Sequence, residues 1–231
     1  MVAVVQTAQN VANATSVTVT LGGATTAGNC LVAAAQTSAT TTNGTVSGIT
    51  LGGAAGNWGS LYSVGTGASN SILMFWADPN CASGQTSVVV TTTGSSGTQS
   101  ITATVWEVSG LPSVLGSLLD QSAGTAAGAS SSSFTSGTTG MISQASEIAF
   151  GMVNANPSVA ITGPSSPWVN SAEQNGTVFY GTAGYALLSS ACAVSYAGAF
   201  SPATAYGAAV ITLFTSPGVS GIGGSYQTFI G

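Results

Sequence analysis

The sequence predicts an all-β fold, an antiparallel β-sandwich of jelly-roll-like type with about 11–13 strands. Its clearest sign is alternation: Val17, Val19 and Leu21 are interleaved with hydroxyl residues, as a strand with one buried face requires. Turn pairs such as Asn43-Gly44 separate segments of this kind at roughly 8–15-residue spacing. No segment combines sustained helical periodicity with helix caps. These observations together favour a sandwich over any helical fold.

The strands can be assigned in chain order. We predict them at 16–21, 30–37, 46–51, 58–64, 71–77, 86–93 and 100–108, and then at 147–153, 177–180, 185–188, 193–196 and 208–214. Residues 110–140 contain four consecutive serines and many Gly and Ala residues, which predicts a long crossover loop. We therefore expect one sandwich domain over 1–215 and a Gly-rich C-terminal arm over 216–231.

The composition excludes several classes of function. The 231 residues include no Lys, Arg or His and five acidic residues, for a formal net charge of −5. Without cationic side chains the protein has nothing to neutralise phosphates, so we expect no binding of nucleic acid. Apolar runs stay shorter than the 18 residues of a spanning helix, so we expect no membrane insertion. With 44% hydrophobic residues, the chain should nevertheless fold.

The same composition argues against catalysis. No imidazole or amine is present to activate a nucleophile or to act as a general base. The acidic residues are Asp78, Glu107, Asp120, Glu147 and Glu173, and no sequence feature brings two of them together as a glycosidase pair. Glu107 has the parity of the apolar residues in its strand, so we interpret it as a carboxylate bonded to backbone N–H groups. We predict no enzyme, no catalytic residue, no cofactor and no metal.

Three cysteines leave at least one thiol unpaired within the chain. Cys30 begins an apolar run and is expected to be a small buried side chain. Cys81 and Cys192 lie in turn-like segments and are the candidate disulfide.

Two groups of aromatic residues are candidate binding residues. Trp168 lies in a Pro-rich loop, and with Asn170 and Tyr180 it forms a candidate glycan-binding site. The alternative is that Trp168 folds over the edge of the sandwich.

In the C-terminal arm, Tyr226, Phe229 and Ile230 are the candidate residues for contact with a neighbouring subunit. The alternative is a frayed tail.

Several short motifs occur in a fixed order along the chain. They lie at 26–33, 56–58, 75–77 and 105–110, with further ones at 146–151 and 208–214. Together they resemble a jelly-roll-like β-sandwich module of virion and surface structural proteins from bacteriophages of the actinobacterial type. The resemblance spans about 2–214 and implies a fold and a setting, with no catalytic residue. The complete absence of cations departs from that family.

The resemblance and the composition together predict a non-enzymatic structural protein of a virus particle. The expected role is capsid decoration, with a tail component as the alternative, and the expected partners are further copies of the chain and major capsid or tail proteins. No secretory signal follows Met1, which fits a virion protein made in the host cytoplasm. Two rival functions remain: a glycan-binding adhesin module of a tail or cell surface, and an extracellular filament subunit that uses donor-strand contacts.

Overall fold

The computed structural model describes residues 1–41, 44–66, 71–93 and 98–216. In this part of the chain, sixteen β-strands and a short 3-10 turn at Leu115–Ser117 form three antiparallel sheets, with no α-helix. The strands are β1 (Ala3–Ala12), β2 (Ser16–Thr20), β3 (Cys30–Ala39), β4 (Thr45–Leu51), β5 (Ala54–Ala55), β6 (Gly59–Thr66), β7 (Ser71–Asp78), β8 (Ser87–Thr93), β9 (Gln99–Ser109), β10 (Leu119–Thr135), β11 (Glu147–Ala155), β12 (Ala160–Thr162), β13 (Val169–Asn170), β14 (Gln174–Asn175), β15 (Tyr180–Leu188) and β16 (Ala197–Phe214). Twelve of them have five or more residues. The all-β antiparallel sandwich is therefore confirmed.

The three sheets form three layers. The central sheet has the order β1-β9-β3-β7-β6, the small sheet β2-β8-β4-β5, and the long sheet β10-β16-β11-β15-β13, with β12 on β16 and β14 on β15. Every residue of β3 is buried, as expected for a strand in a sheet covered on both faces. Cys30, Val32 and Ala34 face the long sheet, while Leu31 and Ala33 face the small sheet. Because successive side chains of a strand point to opposite faces, the central sheet contributes to two cores, one against the long sheet and one against the small sheet.

A third core covers the other face of the long sheet. We call it the far core, and its largest side chains are Phe134, Tyr196, Phe200 and Tyr206. Phe134 contacts each of the other three rings, with centroid distances of 5.1–6.4 Å. Because this face is also covered, β11 is buried along its whole length. Trp168, in the loop before β13, also packs against the far core.

The predicted crossover loop over 110–140 is wrong. Residues 119–135 form β10, which pairs with β16 at the edge of the long sheet. Its small Ala, Gly, Ser and Thr side chains are mostly exposed or half-buried, so they carry little apolar alternation. Such a strand is held by backbone pairing, which composition alone does not reveal.

Two of the predicted strands are also displaced. Residues 177–179 lie outside any strand, between β14 and β15, and residues 193–196 precede β16. The second segment still bonds to the loop before β11: Ser136 and Thr139 donate their N–H groups to Tyr196 and Val194. Its side chains therefore alternate as in a strand although the pairing is irregular.

The candidate contact residues Tyr226, Phe229 and Ile230 lie outside the described residues. The described chain ends at Ser216, whose N–H donates to the Gly110 carbonyl.

Candidate functional site

Trp168 and Asn170 are used to hold their own loop. The Trp168 ring meets the buried Tyr196 ring edge-on at a centroid distance of 4.8 Å. Asn170 donates from Nδ2 to the Pro164 carbonyl at 2.7 Å, and its Oδ1 accepts from the Tyr196 hydroxyl at 3.0 Å. Trp168 is therefore folded against the far core, which agrees with the alternative that it packs on the sandwich and not with an exposed binding residue.

Tyr180 does not join these two residues. Asn170 in β13 pairs with Gly184 in β15, whereas Tyr180 is the first residue of β15. Because an antiparallel strand advances about 3.4 Å per residue, Tyr180 lies roughly 13 Å along the strand from that pair. The structure brings Trp168 and Asn170 together and leaves Tyr180 apart.

A concave site does lie beside Asn170, at the edge of the sandwich. We call it the edge cup; it is lined by residues 7–9 of β1, Trp106 of β9, residues 169–172 and Tyr185 of β15, and its volume is about 310 Å³. β1 and β13 are the last strands of the central and long sheets on the same side of the molecule. The edge cup is the depression between these two edge strands, where the central and long sheets meet.

One side chain ties the two walls of the edge cup together. Gln9 of β1 donates from Nε2 to the Ala172 carbonyl at 3.1 Å. Its Oε1 is buried and accepts no hydrogen bond. By contrast, Ser171 donates its hydroxyl to the Ala183 carbonyl at 2.8 Å, so this wall residue is already partnered. The Gln9 Oε1 is thus an acceptor held in place without a donor.

A larger depression of about 460 Å³ lies at one end of the sandwich. Its lining consists of Ala39, Thr40, Thr98, Pro157, Thr177 and Val178, with no ionisable side chain. It offers hydroxyl groups and apolar surface, and no group able to act as an acid or base.

Glu107 holds a loop and the edge strand in place. Its carboxylate accepts hydrogen bonds from the Thr26 N–H at 2.8 Å, Asn29 Nδ2 at 2.6 Å and Gln6 Nε2 at 2.6 Å. Burial by itself raises the pKa of Glu107, but these bonds outweigh it and hold the pKa below its usual range. The interpretation of Glu107 as a carboxylate bonded to backbone N–H groups is confirmed in part, because one of its three donors is a backbone N–H and the other two are side-chain amides.

Glu147 and Asp120 form an interacting pair of acids. Glu147 is 0% exposed, its Oε1 accepts from the Gln144 N–H at 3.2 Å, and burial followed by the Asp120 charge raises its pKa to about 7. Asp120 accepts from the Ser143 N–H and hydroxyl, both at 2.7 Å, and these bonds lower its pKa despite partial burial. A pair with separated pKa values resembles an acid–base pair. No substrate could contact the Glu147 carboxyl, however, unless the structure opened.

The predicted disulfide between Cys81 and Cys192 is wrong, because all three cysteines are free. Cys81 belongs to the core between the central and small sheets, while Cys192 packs against the far core. Two sheets therefore separate the thiols, too far for the Cα spacing of a disulfide. Burial and the nearby Glu107 and Asp78 charges raise the pKa of Cys81 to about 11.

Sequence reasoning missed Gln9, Trp106 and Tyr185 as residues that line the edge cup. Trp106 is 1% exposed and belongs to the core between the central and long sheets, although it also lines the cup. The cup combines segments near positions 8, 106, 170 and 185, so no local motif could reveal it.

No helix of the described residues is long and apolar enough to cross a membrane. Within the same residues, no three His, Cys, Asp or Glu side chains cluster as metal ligands.

Comparisons of the chain with protein-family models, curated proteins and solved structures give no match.

Proposed function

We propose that the protein is a non-enzymatic structural subunit of a virus particle, a capsid decoration protein of the bacteriophage type. It would act through contacts with copies of itself and with major capsid or tail proteins. The resemblance of its short motifs supports the setting. The observation that carries the assembly role is the long edge strand β10, in which Asp120 is the one charged residue.

β10 offers an unusually long row of backbone groups. Its 17 residues pair on one side with β16, and on the other side with no strand of the described chain. Asp120 is its one charged residue, and no aromatic or long aliphatic side chain occurs between Gly124 and Ser133. The register is regular from Gln121 to Ala127 and shifts beyond it. The regular part is therefore the portion best shaped to pair with another strand.

Soluble proteins usually guard such edges, because an exposed edge invites pairing with another molecule. Lysine is a common guard, and this chain contains none. Register shifts lie on both sides of the regular part, between Leu119 and Gln121 and again after Ala127, so they leave residues 121–127 as the portion of the edge without such protection. A strand donated by a neighbour would satisfy the remaining free N–H and C=O groups.

The arrangement of the acidic groups supports a non-enzymatic role. Glu107 accepts three hydrogen bonds from within the protein, and Glu147 is completely buried. Glu173 accepts a bond from the Ile161 N–H at 3.2 Å and so holds β12. These carboxylates are engaged in holding strands and loops.

A charge placed on the β10 edge tests the proposal. Ala126 is exposed within the regular part of β10, and Val114 is 62% exposed outside any strand. We expect the unmodified protein to sediment as an oligomer and Ala126→Lys to sediment as a monomer, because a charged edge resists pairing. Val114→Lys, the matched control, should remain oligomeric.

Sedimentation velocity distinguishes these outcomes, and circular dichroism confirms that both variants keep their β content. A monomeric unmodified protein, or an Ala126→Lys variant with unchanged oligomeric state, would contradict the role of β10.

The C-terminal residues are a second proposed contact. A chain that ends at Ser216 lacks Tyr226, Phe229 and Ile230, so a weaker oligomer in that variant would support the arm. If the oligomer depends on the arm alone and is indifferent to Ala126→Lys, the filament model with a donated terminal strand would replace the β10 model.

A further inference from the structure

The regular part of β10 lies between two layers of the protein. Ala123 and Ala127 pack against the far core on one face of the strand. Gly124 points to the opposite face, where a Cβ atom would lie 2.7 Å from the Tyr62 hydroxyl oxygen and 3.1 Å from the Val64 Cβ. The absence of a side chain at position 124 therefore lets β10 approach β6 closely. The backbone groups of the outer edge remain, and they pair with no strand of the described chain.

The outer edge of β10 can pair with a second copy of β10 in a limited set of registers. In an antiparallel pair of identical strands a two-fold axis relates the copies, and the backbone groups of opposed residues both face the partner or both face away. Since these directions alternate along a strand, the axis must pass through a residue. Gly124 is the middle of the regular part, Gln121–Ala127, so an axis there pairs the whole of it in both copies. Any other axis pairs some of it with the irregular part of the partner.

The charge and the side chains of β10 fit this register. When the axis is at Gly124, Asp120 comes opposite Gly128 of the second copy, so its charge meets no side chain. The two Asp120 residues are then about 27 Å apart along the strands, well beyond the Debye length of about 10 Å at 0.1 M salt. Ser122 comes opposite Ala126, and both side chains are small and uncharged. The strand can therefore pair with itself without opposing like charges or large side chains.

β6 adds side chains to the same surface. It is the last strand of the central sheet on the side where β10 ends the long sheet. Its Tyr62 and Val64 are half-buried, pack against the core between these two sheets and lie beside Gly124. A two-fold axis at Gly124 therefore brings the Tyr62 and Val64 side chains of both copies toward each other. The same residues then contribute from both sides, as in the isologous interface of a symmetric dimer.

From these features we infer that two copies of the chain pair through β10, antiparallel about a two-fold axis at Gly124. The long sheet of one copy then continues into the long sheet of the other. This inference rests on the proposed assembly role of β10 and names the partner strand. Because an isologous contact closes on itself, this edge joins copies in pairs, and contacts with capsid or tail proteins use other surfaces.

Single cysteine substitutions test the register. Ser122 of one copy should face Ala126 of the other with a Cα–Cα distance of about 4.5–5.5 Å, which suits a disulfide. The two copies of residue 126 should be about 14 Å apart, which is too far for a disulfide. Ser122→Cys and Ala126→Cys are therefore introduced separately into a chain that carries Cys192→Ser. Cys30 and Cys81 can stay, because both are buried.

The two variants are co-expressed, purified and oxidised, and intact mass spectrometry resolves the heterodisulfide from the two homodisulfides. With equal amounts of each variant, chance collision gives the heterodisulfide at about twice the amount of each homodisulfide, and we expect the pairing to raise this ratio to about tenfold. In the control, Ala129→Cys replaces Ala126→Cys. Ala129 is also exposed on β10, but it lies roughly 10 Å along the strand from the position opposite Ser122. The control mixture should give the chance ratio.

Sedimentation velocity of the unmodified protein separates failure of this inference from failure of the assembly role. A monomer overturns both. If Ala126→Lys dissociates the oligomer and the heterodisulfide forms only at the chance ratio, assembly through β10 stands and the two-fold pairing is wrong. A homodisulfide of Ala126→Cys as the main product would place the axis elsewhere and overturn the register. An excess of heterodisulfide confined to a chain that ends at Ser216 would assign the edge to residues 217–231 in the full chain and overturn the pairing there.

Discussion

Glu147 makes the stability of the protein depend on pH near neutrality. Its pKa is raised from 4.5 to about 7 in the folded protein. Between these values the folded state keeps a proton that the unfolded chain has released, so stability must fall as pH rises through that window. We expect the free energy of unfolding to fall by about 1–2 kcal/mol between pH 5 and pH 8.

The variant Glu147→Gln isolates this effect. It keeps the shape of the side chain and cannot ionise, so its thermal midpoint should change little between pH 5 and pH 8. The midpoint of the unmodified protein should be lower at pH 8 than at pH 5. Glu107 and Asp120, whose pKa values are lowered, lose their stabilisation only in more acidic solution, below their unfolded pKa values. Equal pH profiles for the variant and the unmodified protein would contradict the raised pKa.

The cysteines should differ sharply in reactivity. Burial and the Asp78 charge raise the pKa of the Cys30 thiol, and Cys81 is 2% exposed with a raised pKa of about 11. Cys192 is half-buried. Since the thiolate is the reactive form, a thiol reagent at pH 8 should modify one cysteine in the native protein and three after denaturation. Mass spectrometry of the labelled peptides identifies the site, and fewer than three reactive thiols after denaturation would indicate a disulfide.

At the scale of the strands, the sequence predicts buried elements well. The strands β3, β9 and β11 lie within two residues of their predicted positions, since buried strands have dense apolar and β-branched residues. The layers stacked on either side of these strands cover both of their faces, so side chains of either parity are buried.

Edge strands are harder to predict, for a physical reason. β1 alternates exposed and half-buried residues, and β10 consists largely of small residues that face solvent. At an edge the strand is defined by backbone hydrogen bonds to one neighbour, and side-chain hydrophobicity carries little of that information. β1 also supplies Gln9, so the difficulty extends from the fold to the candidate site.

The residues of the edge cup are also difficult to predict from the sequence. Trp168 has the sequence context of a binding residue, yet its ring packs on Tyr196, a contact between residues 28 positions apart in the chain. Trp106 has the sequence context of a core residue and is buried, yet it also lines the cup. Which aromatic residues line a cavity depends on how two sheet edges meet, and that depends on the whole fold.

The whole molecule can form almost no ion pairs, because the chain has no Lys, Arg or His. Its only ordinary cation is the N-terminal amine, so three layers are held by apolar cores and hydrogen bonds. Salt weakens exposed ion pairs by screening, with a Debye length of about 10 Å at 0.1 M. A protein without such pairs gives salt little to screen. We therefore expect both its thermal midpoint and its self-association to be nearly independent of sodium chloride at pH 7.

Ammonium sulfate at the same ionic strength provides the control. Sulfate is excluded from protein surfaces and strengthens apolar burial, so it should raise the midpoint and tighten the oligomer where sodium chloride does not. Differential scanning calorimetry and sedimentation velocity measure the two responses. Sodium chloride that dissociates the oligomer would require electrostatic contacts within it. Because the chain supplies no cationic side chain for such contacts, they would have to involve the N-terminal amine, and acetylating that amine would then abolish the oligomer even without salt.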